Sequence, residues 1–128
     1  MPKHADFIKS LQTNTQHSAK AMRRLVRRTT TENLWLYVLT LLEERNYFAY
    51  ELRNAVKERF GVEMASVTGY VLFYKLQRDG LVELSEKRRE GNRPTRKYYR
   101  ITDMGRRSLA DAKEFLQLLV KVLAAPPT

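Results

Sequence analysis

LVELSEKRREGNRPTRKYYRIT, Leu81 to Thr102, decides how this chain is read. Leu81–Glu86 alternates apolar and polar residues, and Thr95–Ile101 does so again with β-forming side chains. Lys87–Pro94 lies between them and holds Gly91 and Pro94, residues of a turn. The pattern predicts a β-hairpin with a long basic tip. Seven of the sixteen residues from Lys87 to Thr102 are Lys or Arg. Charge alone does not separate a solvated loop from a basic linker or a grip on a polyanion. The neighbours of the hairpin do.

Three helices precede it. TTTENLWLYVLTLLEER (29–45) reads as a helix entered through Thr30 or Thr31, with Glu32 in its first turn. Leu34, Trp35, Leu36, Tyr37, Val38, Leu39, Leu41 and Leu42 cover almost its whole circumference, so it is buried on more than one side. YFAYELRNAVKERFG (47–61) gives a second helix with Tyr47 or Phe48, Leu52, Val56 and Phe60 on one face, closed by Gly61. VEMASVTGYVLFYKLQRDG (62–80) gives a third, opening at Ser66 and closing at Gly80. Leu72, Phe73 and Leu76 point inward from it; Tyr70, Tyr74, Lys75 and Arg78 face outward.

After the hairpin, Thr102 and Asp103 cap a last helix, GRRSLADAKEFLQLLVKVL (105–123). Leu109, Ala112, Leu116, Leu119 and Leu123 recur at the spacing of a coiled-coil seam, and Phe115, Val120 and Val122 widen the stripe. A domain this small cannot bury that stripe by itself. The expected interface of a homodimer therefore comprises Leu34, Trp35, Val38, Leu109, Ala112, Phe115, Leu116, Leu119, Val120 and Leu123.

Helix, helix, helix, hairpin, helix is the order of a winged helix-turn-helix. The fold class is mainly α with a small β-hairpin, plus a C-terminal dimerisation helix. Residues 1–30 form a basic N-terminal segment, partly mobile, with a frayed tail over 1–17 and a short basic helix or DNA-lying arm over 18–30. Residues 31–101 form the DNA-binding domain and 102–125 the dimerisation helix. In such a domain the third helix enters the major groove, and a dimer sets two of them about one DNA turn apart on a pseudo-palindromic site.

Composition agrees. The chain has 128 residues, 24 Lys and Arg against 14 Asp and Glu, and a formal net charge of +10. Such an excess attracts polyanions. With no cysteine there are no disulfides, thiolate nucleophiles or cysteine-held metals. The only histidines, His4 and His17, fall in the expected tail as solvated residues. No Gly-rich phosphate loop or nucleophile motif occurs, so an enzyme, a metal or a cofactor is not expected. The N-terminus lacks the apolar core of a signal peptide, and Leu34–Leu42 is far short of the ~20 residues that span a bilayer. The reading is cytoplasmic and nucleoid-associated, without a membrane partner.

On double-stranded DNA three groups divide the labour. Ser66, Thr68 and Tyr70 open the third helix, where free N–H groups favour a phosphate. Tyr50 and Tyr74 add phosphate contacts through their hydroxyls. Thr68, Gly69, Val71 and Lys75 are candidates for base edges, a set suited to thymine methyls and shape. Arg78 closes the helix. In the wing, Arg88, Arg89, Arg93, Arg96 and Lys97 meet the backbone or a narrow minor groove. Of Tyr98 and Tyr99, one faces the core and the other the groove side or the last helix.

These residues resemble the PadR family of transcriptional regulators over roughly Thr31 to Leu109. FAYEL (Phe48–Leu52) resembles the family's His-Gly-Tyr-Glu-Leu stretch, with Ala49 in the glycine position. ASVTGYVLFYKLQRDGLVE resembles its Ser-Pro-Gly-Thr-Leu-Tyr motif and the Leu-x-x-Gly-Leu run into the wing; Thr68, Tyr70, Leu76, Gly80 and Leu81 fall in matching places. NRPTRKYYRITDMGRR matches the second wing strand, Arg-Pro-x-Lys-Tyr-Tyr-x-Leu-Thr-x-x-Gly. A single C-terminal helix resembles the smaller subtype. The resemblance implies a dimeric DNA-binding regulator, often a repressor of a nearby operon, sometimes released by a small aromatic ligand. Aromatic content places such an effector at the dimer interface near Trp35 and Phe115. Ala65, Ser66, Val67 and Gly69 depart from the family's Ser, Pro, Gly and Leu, which bears on the target sequence. Gly69 costs a helix about 1 kcal/mol relative to Ala. Two other readings stand beside the sequence-specific regulator: a weakly specific architectural DNA-binding protein, and a winged-helix protein-interaction module.

Overall fold

The computed structural model describes residues 2–13, 19–65 and 67–127. In chain order it holds α1 (Pro2–Thr13), α2 (Lys20–Thr29), a 3-10 turn (Thr31–Asn33), α3 (Trp35–Leu42) and β1 (Tyr47–Phe48). Then come α4 (Ala49–Phe60), α5 (Thr68–Arg78), β2 (Val82–Arg88), β3 (Arg96–Ile101) and α6 (Asp103–Ala124). The winged helix-turn-helix expected from the sequence is α3, α4, α5 and the β2–β3 hairpin. Among the described residues no helix is long and apolar enough to cross a membrane.

The core gathers α3 (Val38, Leu39, Leu41, Leu42), α4 (Leu52, Val56), α5 (Phe73, Leu76), the sheet (Tyr47, Val82, Ile101) and Leu109 of α6. Leu34 and Val38, expected to face a second protomer, instead pack into this core, and so does Leu109. Val38 is 0 % exposed. A helix apolar all round presents every face equally in sequence, and here the domain itself takes those positions. Trp35 is half-buried against the core, and its Nε1–H donates to Asn33 Oδ1 at 3.2 Å. Tyr37 donates its hydroxyl to the Thr29 carbonyl, and burial pushes its pKa up.

Entry into α3 differs from the expected threonine cap. No side chain caps it. Thr30 Oγ1 donates to the Val26 carbonyl at 2.6 Å, and Thr31 Oγ1 to Arg27 at 3.5 Å. Because α2 runs almost directly into the 3-10 turn, its last carbonyls need donors, and the threonines supply them. The short basic helix expected at 18–30 is α2. Arg27 and Arg28 both reach Glu32, at 2.7 and 3.1 Å.

The frayed tail expected over 1–17 is a helix, α1, through Thr13. Ala5 is buried and Ile8 packs on the core, while His4 is exposed; His17 lies outside the described residues. Gly61 makes this docking possible. Its φ of +73° ends α4 in the left-handed conformation, as the sequence predicts. A Cβ there would also lie 1.8 Å from the Ala5 carbonyl oxygen.

Tyr47 and Phe48 do not begin the second helix. They form β1, which pairs antiparallel with β3 (Tyr47 opposite Tyr99, Phe48 opposite Tyr98), making a three-stranded sheet of order β1-β3-β2. Glu51 then accepts from the Phe48 N–H at 3.2 Å and holds Arg45, itself 3.6 Å from the centre of the Tyr47 ring. The β2–β3 register slips between Leu84 and Glu86, and Ser85 at the slip accepts from Asn46 Nδ2 at 3.0 Å.

Gly80 (φ +79°) turns the chain out of α5, with the Leu81 N–H donating to Leu76 O at 2.9 Å. Thr102 ties that corner to α6. Its hydroxyl donates to Gly80 O at 2.6 Å and accepts from the Gly105 N–H at 3.0 Å, the expected cap. Beyond Ala112 the helix leaves the body: Phe115, Leu116, Leu118, Leu119, Val120, Val122 and Leu123 are all exposed, Leu123 by 84 %.

Gly105 sits where any Cβ would come 2.3 Å from Leu81 O and 2.7 Å from Ile101 Cγ1. Gly105→Ala therefore overpacks the root of α6, and chemical denaturation should show a loss of about 1–3 kcal/mol. Unchanged stability would mean that α6 does not pack at this corner.

Candidate nucleic-acid interface

One side of the molecule collects what the sequence scattered. Tyr50, in the first turn of α4, is 72 % exposed. Tyr70, Val71 and Tyr74 stand exposed on α5, with Lys75 and Arg78 beyond them and Thr68 half-buried at its start. Three exposed tyrosines are unusual for a surface with no partner, because each keeps a large ring in water. Ser66 lies outside the described residues. The α5 N-cap is Val67, whose side chain makes no capping bond.

Facing α5, the hairpin carries its cations. Phe73 is the anchor: its ring stacks on Tyr99 at 4.4 Å and 17°, so the return strand is held directly against α5. Tyr99 is thus the core-side tyrosine of the pair. Tyr98 meets Phe48 edge-on at 5.2 Å and lies under Arg88, 4.5 Å from its ring centre.

The wing cations fall into two groups. Arg88 is held by Glu86 at 2.6 Å, which raises the Arg88 pKa and keeps the Glu86 carboxyl below the usual carboxylate range. Arg96 is half-buried, 4.7 Å above the Phe48 ring. Arg89, Arg93 and Lys97 are exposed, and among the described residues none of the three forms an ion pair. Strand register adds a further cost. Lys87 lies opposite Lys97 and Arg88 opposite Arg96. Like charges directly across a strand pair repel; Glu86 answers Arg88 in one rung, and the Lys87–Lys97 rung is left for an outside anion to relieve.

Between Tyr50, Tyr70, Phe73, Tyr99, Arg93 and Lys97 lies a hollow of about 440 Å³. Five of the expected DNA-contact residues, Tyr50, Tyr70, Arg93, Arg96 and Lys97, share its lining. Thr68, Val71, Tyr74 and Lys75 lie outside it on α5. Arg78 is at the far end of the helix, 3.6 Å from Asp79. Phe48, Ala49, Pro94 and Thr95 complete the wall and were not expected there. No local sequence pattern marks Phe48; it reaches the wall because β1 sets it opposite Tyr98 on β3.

Gly69 is a correction. It is buried against α4, and a Cβ on it would approach the Ala49 carbonyl oxygen to 2.8 Å. It lets two helices cross closely and is turned away from any base edge.

A family description matches this framework: the transcriptional regulator PadR-like family, over residues 38–111. The chain belongs to that family. Solved structures of PadR proteins share its fold. A PadR family regulator from Eggerthella lenta is 27 % identical with a TM-score of 0.67, covering 83 % of this chain and 95 % of that one. A PadR-like transcription factor from Bacteroides fragilis is 22 % identical with a TM-score of 0.65, over 78 % and 95 % of the two chains. Bacillus subtilis PadR, solved in complex with operator DNA, is 22 % identical with a TM-score of 0.56, over 74 % and 50 %. No curated protein matches the chain. The PadR match begins inside α3, so α1 and α2 lie outside it.

Gly69→Ala separates the two roles of this residue. Alanine favours a helix by about 1 kcal/mol, so a solvent-facing Gly69 would gain stability. Contact with Ala49 predicts the reverse, a fall in melting temperature visible by circular dichroism.

Proposed function

We propose that this chain is a DNA-binding transcriptional regulator that grips duplex DNA between α5 and the wing and does so as a homodimer. The observation that carries the reading is the pair of like-charged rungs at the hairpin tip, Lys87 opposite Lys97 and Arg88 opposite Arg96, beside the unpaired Arg89 and Arg93. A fold tolerates such rungs where a polyanion settles on them. The Bacillus subtilis relative, solved in complex with operator DNA, supports DNA as the partner. Tyr50, Tyr70 and Tyr74 supply hydroxyls to phosphates; Thr68, Val71 and Lys75 remain to read base edges. Binding of this kind over a promoter represses by occupancy, in the cytoplasm where the chromosome lies.

The apolar stripe of α6 supports the dimer. With Leu34, Val38 and Leu109 committed to the core, the interface reduces to Phe115, Leu116, Leu119, Val120 and Leu123, flanked by Ala112 and Trp35. An effector beside Trp35 and Phe115 would meet ring surface there, since the indole N–H is already given to Asn33. A second reading, weakly specific architectural binding, draws support from the loss of Gly69 from an already small base-reading set. Selection of bound duplexes from a random pool decides between them: one enriched pseudo-palindrome supports the regulator, and no enrichment supports the architectural protein.

Replacing Arg89 and Arg93 by Gln should weaken binding to every duplex. Each lost phosphate contact should flatten the dependence of log affinity on log salt by about 0.9. A mobility-shift titration across salt reads this, and an unchanged slope removes the wing from the interface. Leu119→Glu puts a charge in the middle of the α6 stripe. Light scattering should then give a monomer, with affinity for a two-fold site reduced by an order of magnitude or more, about the loss expected when one of two linked contacts is released. An intact dimer would place the interface elsewhere.

A further inference from the structure

We infer that the face between α4, α5 and the wing also holds single-stranded DNA, with unstacked bases lying on the exposed tyrosines and the strand's phosphates following the wing cations. The inference rests on the placement of DNA on this face made above, and it adds a second form of the polymer to the duplex.

The rings carry it. Tyr50, Tyr70 and Tyr74 are all more than half exposed. Among the described residues none of the three pairs with another ring or lies under a cation. A hydroxyl aimed at a phosphate accounts for one atom of each side chain and leaves the ring itself in water. In a duplex the faces of the bases are covered by their neighbours, so a protein meets phosphates, sugars and groove edges. An unstacked strand offers what these rings lack, a flat face on every base. Stacking of that kind is tolerant of sequence, because every base has such a face.

The spacing suits separate bases. Tyr70 and Tyr74 are four residues apart within α5, on one face of the helix, with Cβ atoms about 5–6 Å from one another. Each ring can take a base of its own. Tyr50 lines the hollow together with Tyr70, which sets the third ring beside this pair.

The wing supplies the track for the backbone. Arg93, Arg96 and Lys97 line the same hollow, and no carboxylate does. Arg96 is already placed by its packing over Phe48, so holding a phosphate costs it less ordering. Rings on the helices and cations on the wing, with a groove between, form the combination that holds single strands without base-edge readout. Strand and duplex draw on the same side chains and therefore compete.

Fluorescence anisotropy of the full chain at low salt tests this with labelled oligothymidylate and, separately, a mixed-sequence duplex. Both should bind, and each should displace the other. The double variant Tyr70→Phe/Tyr74→Phe keeps the rings and loses the hydroxyls, whereas Tyr70→Leu/Tyr74→Leu loses both. The phenylalanine variant should hold oligothymidylate within about twofold of the parent and weaken the duplex about tenfold, through two lost hydroxyl contacts. The leucine variant should lose about tenfold or more per ring on oligothymidylate. Arg93→Gln should flatten the salt dependence by about 0.7 on the strand and about 0.9 on the duplex. Equal losses of oligothymidylate in the phenylalanine and leucine variants, or strand and duplex bound together without competition, would each overturn the inference. Duplex binding without strand binding overturns it alone and leaves the regulator in place. Strand binding without duplex binding supports it and removes the duplex reading instead; binding of neither defeats both.

Discussion

The stack of Phe73 on Tyr99 is the contact on which the rest of the surface depends. Phe73 is almost wholly buried, and its partner lies on the middle strand of the sheet. Aromatic pairs of this kind add about 0.5–1.5 kcal/mol beyond the area they bury. Its larger effect is geometric. Leu76 of α5 shares the core with Val82 and Ile101 of the hairpin, but the Phe73–Tyr99 stack is the ring contact that sets the wing strand, and the cations beside it, against the tyrosine-bearing helix. The other fastenings refine this arrangement. Asn46 holds Ser85 at the register slip, and β1 closes the open edge of β3, so the hairpin cannot swing as a two-stranded ribbon.

Charge is distributed with a division between body and tip. In the body, Arg45 is answered by Glu51, Arg59 by Glu44 and Arg100 by Glu83. These pairs are exposed and add little to stability individually. They do neutralise much of the field around the fold, so the excess positive charge is left in the basic N-terminal segment and where the hairpin turns. Net charge alone, +10 over the chain, says nothing of this arrangement.

Features set by local chemistry were legible in the sequence. Gly61 and Gly80 close their helices, Thr102 caps α6, and the alternating runs around Arg93 form the hairpin, because each depends on residues within one or two turns. What escaped was decided at long range. A two-residue strand such as Tyr47–Phe48 has no period to detect, and only its pairing with Tyr98 and Tyr99 reveals it. Ala5 meets Gly61 across more than fifty residues, and nothing near either announces the contact. Gly69, counted among the base-edge candidates, is instead an opening toward Ala49. For Leu34, Val38 and Leu109 the burial itself was foreseen, but hydrophobicity does not say which neighbour does the burying. The site was legible in outline, since Tyr50, Tyr70, Arg93, Arg96 and Lys97 do converge. The hollow they enclose was not, because concavity is a property of how α4, α5 and the sheet sit together.

Thr102 gives α6 a mechanical character. Its hydroxyl joins the end of α5 to the start of α6 through two hydrogen bonds, and Gly105 leaves no slack at that joint. A helix of 22 residues is about 33 Å long. It behaves as a stiff arm pivoting at Thr102: one degree of tilt there moves the far end by roughly 0.6 Å over that length. The relation also runs backward. Whatever seats the tip fixes the attitude of α5 to within a few degrees, so small changes in side-chain size near Leu119 and Leu123 act as fine adjustments of where α5 points.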